Sequence, residues 1–261
     1  MSSLRGISHV HSAFSFDGKV EIAQLHAFFA SHGFDFVLMS EHIEDLDLPR
    51  MQEIYDACQQ VSNQQCVLIP GIEIDELHIL IFGVDRPRSY DGLLSFAQDC
   101  HRRGAFIVLS HPVKIRKGIP ADVLPMLAGV EIWNTRYDSR RSPRPANQTL
   151  FHQLRQDTPG LVAVCGMDFH NYSDFSNVSL EVEAPSREPD AILESIRGGR
   201  VQICNYGKAI PIYDAPAGLL RRARSRTATA FYDGCIAIYQ TLKRLGFRVP
   251  APIRRGFKRI L

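Results

Sequence analysis

Residues 8–12 read Ser-His-Val-His-Ser, which places the imidazoles of His9 and His11 two positions apart. Residues i and i+2 of a strand share a face, so both rings would turn the same way. Neutral imidazoles paired like this suit a transition metal, although a lone pair is equally at home on a surface. Further along come Asp17, Glu41-His42, Glu73, Asp75, His78, His111, Asp168 and His170. Most of these stand at the edge of an apolar run. Clustered imidazoles and carboxylates accept Zn, Mn or Fe through nitrogen and oxygen. No cysteine takes part, so the pattern favours a catalytic centre over a structural zinc site. Such a centre would hydrolyse a substrate with water acidified on the ions. The other histidines, 26, 32, 101 and 152, fall in helix-like stretches and read as exposed or half-buried side chains.

These residues need elements to bring them together. The apolar runs are GISHVH, FDFVLMS, CVLIPGIEI, HILIFGV, AFIVLSH, GVEIW and LVAVCGM. They are rich in Val, Ile, Leu and Phe and bounded by Gly or polar residues, which predicts buried strands. Helix-like stretches near 20–32, 50–62, 91–103, 120–128, 145–157 and 189–198 lie between or after them. Alternation of this kind predicts a mainly parallel sheet. In an α/β barrel the chemistry collects at the C-terminal ends of the strands, where most of the residues above lie. Between GIEI and HILIFG the connection is too short for a parallel crossover, so a hairpin or a bent strand is predicted there.

Read in order, HVHS…DG, SEH, GIE….H, SHP and GMDFH resemble the motifs of the PHP (polymerase and histidinol phosphatase) family of metal-dependent phosphoesterases. The resemblance spans roughly residues 5–205. It implies an α/β fold, a distorted (βα)7-type barrel of the PHP kind, with two or three divalent ions (Zn, Mn or Fe) at its mouth. It implies that His9, His11, Glu73 and Asp168 surround one ion. Glu73 would bridge to a second ion held by His78 and His111, and Asp17, His42 and His170 would surround a third. The catalytic residues implied are Asp17, His42, Glu73 and Asp168, with Asp17 or a water on the ions donating a proton to the leaving group. Two departures stand out. Glu41 occupies a position where Asp is usual, and Met167 and Phe169 replace smaller residues, which would narrow the pocket.

Arginine forks match phosphate oxygens. Arg136 and Arg116 follow strand ends closely and are the candidate substrate-binding residues; Arg140, Arg141, Arg144, Lys114 and Lys117 stand in the same two loops. Trp133 is read mainly as core. The expected activity is hydrolysis of a phosphate ester, either a phosphorylated small molecule or a short oligonucleotide, by ion-activated hydroxide. The same ligand set also fits a hydrolase of C–N or C–O bonds, or a non-catalytic metal-binding module.

The charge is uneven. Residues 216–261 hold eleven Lys or Arg and one acid, a net of +10, so the total of +2 leaves −8 on residues 1–215. The reading is two regions: a metal-dependent hydrolase domain, 1–215, and a basic, helical C-terminal extension, 216–261. Basic residues interleaved with Phe, Leu and Ile fit an anionic membrane surface, an acidic partner or nucleic acid, or a helix packed on the body. No stable duplex partner is expected. The six scattered cysteines, without a CxxC pair, fit reduced thiols in a cytoplasmic protein, peripheral at a membrane if the extension binds one. No signal peptide or membrane-spanning run is read in the sequence.

Overall fold

The computed structural model describes residues 2–84, 91–115 and 118–213. Arg116, Lys117 and the extension 216–261 lie outside the described residues. Every apolar run becomes strand. In chain order the elements are β1 Ser2–Val10, α1 Ile22–Ser31, β2 Phe36–Met39, β3 Glu41–His42, α2 Leu48–Val61, β4 Val67–Ile69, β5 Gly71–Ile74 and β6 Ile79–Phe82. Then come α3 Leu93–Arg102, β7 Phe106–Leu109, β8 Gly129–Asn134, α4 Pro145–Asp157 and β9 Val162–Phe169. The described chain ends with β10 Val178–Ala184, α5 Pro189–Arg197, β11 Val201–Asn205 and β12 Lys208–Ala209.

Among the described residues the fold is mixed α/β around one sheet of twelve strands. Its middle is parallel: β9 lies between β1 and β8, β7 pairs with β8, and β1 also pairs with β2. All of β8 and β9 is buried, as expected of parallel strands covered on both faces. The short connection after β5 is the predicted hairpin, and β6 runs antiparallel to both β5 and β7.

A regular seven-unit barrel is not what the pairing gives. The hydrogen-bonded path is open, running from β12 through β11, β10, β1, β9, β8, β7, β6 and β5 to β3, with β2 and β4 off it. Two features of the chain account for this. Ser40 separates β2 from β3, and Pro70, which lacks an N–H for the ladder, separates β4 from β5. β10–β12 are also added as antiparallel strands beside β1. The helix expected over 120–128 is one 3-10 turn, Leu124–Met126, because Pro125 sits inside it and blocks α-helical bonding.

The core fills both sides of the sheet. Phe29 of α1 is fully buried against Phe34 and Phe169, and Phe36, Phe82, Phe106 and Trp133 are buried as well; each contributes roughly 1.5–3 kcal/mol by leaving water. Gly6 lets β1 approach β2, because a side chain there would run into the ring of Phe36. The five described cysteines are buried and free. Among the described residues no helix is long and apolar enough to cross a membrane.

Candidate metal centre

The strand ends and the loop after β1 bring most of the predicted side chains into one largely buried cluster, by backbone distortion more than by simple alternation. His9, His78, His111 and Asp168 all have positive φ, at 63°, 54°, 25° and 51°. Non-glycine residues adopt this region rarely, and such strain collects at functional sites. The β1–β2 and β1–β9 registers shift at the end of β1, and such bulges re-aim side chains. His9 and His11 do converge, with Val10 packed into the core between them. They converge because the chain turns left-handed at His9.

Glu73 is the focus. Its Oε2 lies 3.1 Å from His9 Nε2, 3.3 Å from His11 Nε2 and 3.7 Å from His42 Nδ1, and its Oε1 lies 2.8 Å from His111 Nε2. Asp168 Oδ1 stands 4.0 Å from His9, 3.9 Å from His11 and 3.3 Å from His170 Nδ1. Asp17 reaches in from the loop after β1, 2.8 Å from His170 Nε2 and 3.6 Å from His42 Nε2. Donor atoms come together in four groups: His11, His42, His170; His9, His111, Asp168; His9, His11, Glu73; and His42, Glu73, Asp75. His78 joins none of these, although its ring lies 5.8 Å from that of His111.

These residues fit divalent ions. Asp17 Oδ1, His42 Nδ1, His78 Nδ1 and His111 Nδ1 are buried and make no hydrogen bond, which is costly for polar atoms unless something else engages them. The nitrogen and oxygen set is the one that Zn, Mn and Fe accept.

The electrostatics ask for a cation too. At Glu73 burial works against charge, yet His9 and the hydrogen bonds from His11 and His111 hold its pKa well below the usual range. Asp168 is likewise held down to about 2 against burial, chiefly by His9. Burial pushes His11 down to about 4. His9 goes the other way: burial opposes its charge, but Glu73, Glu131 and Asp168 raise it well above 6.5. One imidazolium among carboxylates thus does what a cation would do. Its contribution to the ion-free fold is full below pH 6.5 and is lost as pH rises through the raised value. Metal ligands must be deprotonated, so at pH 7 loading Zn or Mn should release on the order of one proton per chain, read by calorimetry in two buffers of different ionisation heat. Loading without proton release would contradict the His9 assignment.

The residue that reading the motifs overlooked is Glu131. It lies fully buried in the middle of β8. Its Oε1 accepts from His9 Nδ1 at 2.8 Å, and its Oε2 accepts from the His111 backbone N–H at 2.7 Å and from Asn134 Nδ2 at 3.0 Å. It therefore ties the ends of β1, β7 and β8 together and leaves His9 Nε2 facing Glu73. A carboxylate on the far nitrogen of a metal-binding histidine fixes its tautomer and orientation. Gly166 on β9 makes room, since a Cβ there would collide with Glu131 Oε1 and His9. The signal was a lone charge inside an otherwise apolar run.

Glu41, at the position where Asp is usual, is fully buried and accepts from the Ser12 N–H at 2.9 Å and from the Ser15 hydroxyl. Ser15 Oγ in turn accepts from the His42 N–H at 3.1 Å. The extra length of Glu41 thus braces the loop that carries Asp17. Phe169 does not narrow the site, because its ring packs against Phe28, Phe29 and Tyr172. Trp133 is core, and its Nε1 donates to the Ser139 carbonyl at 2.7 Å, holding the loop after β8. On that loop Arg136 lies against His170 Nδ1, with Nη1 3.8 Å from Asp168 and 3.9 Å from Asp174. The helical histidines are exposed or half-buried as read.

No protein-family model matches this sequence, and no curated protein matches it. Solved structures do. One is a two-domain protein from Bacteroides vulgatus described as containing a predicted PHP-like metal-dependent phosphoesterase, with 18% identity over 78% of this chain and a TM-score of 0.61. This chain spans 65% of that protein's length. Another is PsfC from Pseudomonas syringae, at 16% identity over 78% of this chain and 92% of its own, with a TM-score of 0.54. At these identities the likeness is one of fold, and this chain shares its fold with a protein described as containing a predicted PHP-like metal-dependent phosphoesterase.

Proposed function

We propose that this chain is a multinuclear, metal-dependent phosphoesterase. The observation that carries the reading is the convergence of four imidazoles on the buried Glu73 carboxylate, with Asp168, Asp17 and His170 beside them. His9, His11, His42, His78, His111, His170, Asp17, Glu73 and Asp168 would hold two or three ions. When bound, such ions acidify a water to a nucleophile and neutralise the oxygens of a phosphoryl group.

The chain's own residues then do the following. Glu131 holds His9 in one tautomer. Glu41 and Ser15 hold the loop that presents Asp17, whose side chain is 34% exposed and so can meet a leaving-group oxygen; the proton that oxygen takes up would come from water acidified on the ions, directly or passed on by the free oxygen of the Asp17 carboxylate. Arg136, with its side chain 38% exposed beside Asp168, can turn one face of its guanidinium to a phosphate oxygen. The substrate class is a phosphorylated small molecule or a short oligonucleotide.

The test is a panel of phosphomonoesters, phosphodiesters and amides, run with Mn or Zn added. Turnover of phosphoesters supports the reading. Turnover of amides alone would replace it with C–N bond hydrolysis.

A further inference from the structure

Beyond Arg136, whose guanidinium lies 3.8 Å from Asp168 and 3.9 Å from Asp174, the rim beside the metal centre carries cations that no carboxylate of the described residues neutralises. Arg136 leads out from His170, and four residues on, Arg140 Nη2 donates to the Ser173 carbonyl at 2.6 Å. Next to Ser173 stands Tyr172, whose ring is packed on Phe28 and is 50% exposed. Asn205 Nδ2 donates to the carbonyls of Arg140 and Arg141 at 3.4 Å each, which joins this loop to the tip of the β11–β12 hairpin. Among the described residues Arg140, Arg141 and Lys208 have no acidic partner within ion-pair distance, while the body of the chain is net negative.

The hairpin tip adds a second observation. Asn205 pairs with Lys208, so Tyr206 and Gly207 form a two-residue loop with φ of 48° and 70°. Turns of this type favour Asn or Gly where φ is positive. A tyrosine there is strained, and Tyr206 is 74% exposed, so packing does not account for it. The chain keeps a costly conformation that displays an aromatic ring beside unpaired cations.

We propose that this strip binds a single-stranded oligonucleotide, with Arg140, Arg141 and Lys208 on its phosphates and Tyr206 and Tyr172 stacked on its bases. Cations that track a backbone, with aromatic faces between them, are how single strands are bound without sequence preference. The strip begins at Arg136, beside the metal centre, so the strand would run from the rim to the site; that direction rests on the phosphoesterase reading.

The test reads binding alone, so its failure is distinct from failure to hydrolyse esters. Hydrogen exchange of the full chain is followed with and without a short oligothymidylate. Protection should appear in residues 139–144 and 205–209 and vanish in the Arg140→Ala/Arg141→Ala variant. The slope of log affinity against log salt should fall by about 0.7 per phosphate contact removed. Tyr206→Gly should raise Tm, because glycine relieves the strained φ, and still weaken binding about tenfold through the lost stack. A residue kept for structure alone would not show that opposition. Protection confined to residues 216–261, equal protection by inorganic phosphate or by anionic lipid vesicles, or unchanged protection in the double variant would overturn the proposal.

Discussion

Replacing Glu73 by Gln should lower phosphoester hydrolysis about a hundredfold to a thousandfold and leave the purified chain with fewer bound ions than the wild type. Among the described residues Glu73 is the one carboxylate within 4 Å of four imidazoles, those of His9, His11, His42 and His111. Gln keeps the shape but removes the charge, and its amide nitrogen is a poor metal ligand. The fold should survive. His9 is held charged against burial first of all by Glu73, so without that carboxylate it can shed its proton and remain buried as a neutral ring. Elemental analysis together with thermal melting separates the outcomes. Full ion content with full activity would remove Glu73 from the centre of the account. Loss of activity through unfolding alone would show as a lowered Tm in the ion-free protein.

The second large effect is at Glu131. In Glu131→Ala three buried donors, His9 Nδ1, the His111 N–H and Asn134 Nδ2, lose their acceptor. A buried unsatisfied donor costs roughly 1–3 kcal/mol, so the variant should lose about 3 kcal/mol or more of stability, read by denaturant unfolding. Glu131→Gln is the more informative change. It keeps one acceptor oxygen, so one side of the side chain must present an N–H to another donor. Two donors meet Oε2 and one meets Oε1, so the amide oxygen should turn to the His111 N–H and Asn134 and the amide N–H to His9, which loses its fixed tautomer; metal affinity should fall about tenfold to a hundredfold with a much smaller loss of stability. Calorimetric titration with Mn or Zn reads the first quantity and unfolding the second. If Glu131→Gln binds ions as the wild type does, the carboxylate only packs.

Much of this was legible in the chain because burial and strand formation are read from the same residues. Each Val/Ile/Leu/Phe run became a strand, and the short link after Glu73 became a hairpin, since no parallel crossover fits it. The cluster could be read from strand ends, because parallel strands bring their C-terminal ends together. Two kinds of feature were harder to see. One is backbone distortion: the positive φ of His9, His111 and Asp168 follows from packing around the site, and residue type does not announce it. The other is a residue hidden by its surroundings. Glu131 sits within GVEIW, and the apolar neighbours that identified the strand also drew attention from its charge. β10 has alternating burial, and β11 and β12 flank an Asn-Tyr-Gly turn. Their pattern was present, but they fall after the last motif. The open sheet path follows from the breaks at Ser40 and Pro70, which divide β2 from β3 and β4 from β5.

The His/Asp/Glu cluster is proposed to be a multinuclear metal centre that does phosphoester chemistry. Elemental analysis of the purified full chain, coupled to phosphoester hydrolysis of the same sample, tests it most directly. About two or three transition ions per chain are expected, with loss of activity on chelation and its return with Mn or Zn. Fewer than about two ions, with no hydrolysis after either metal is added, would contradict it.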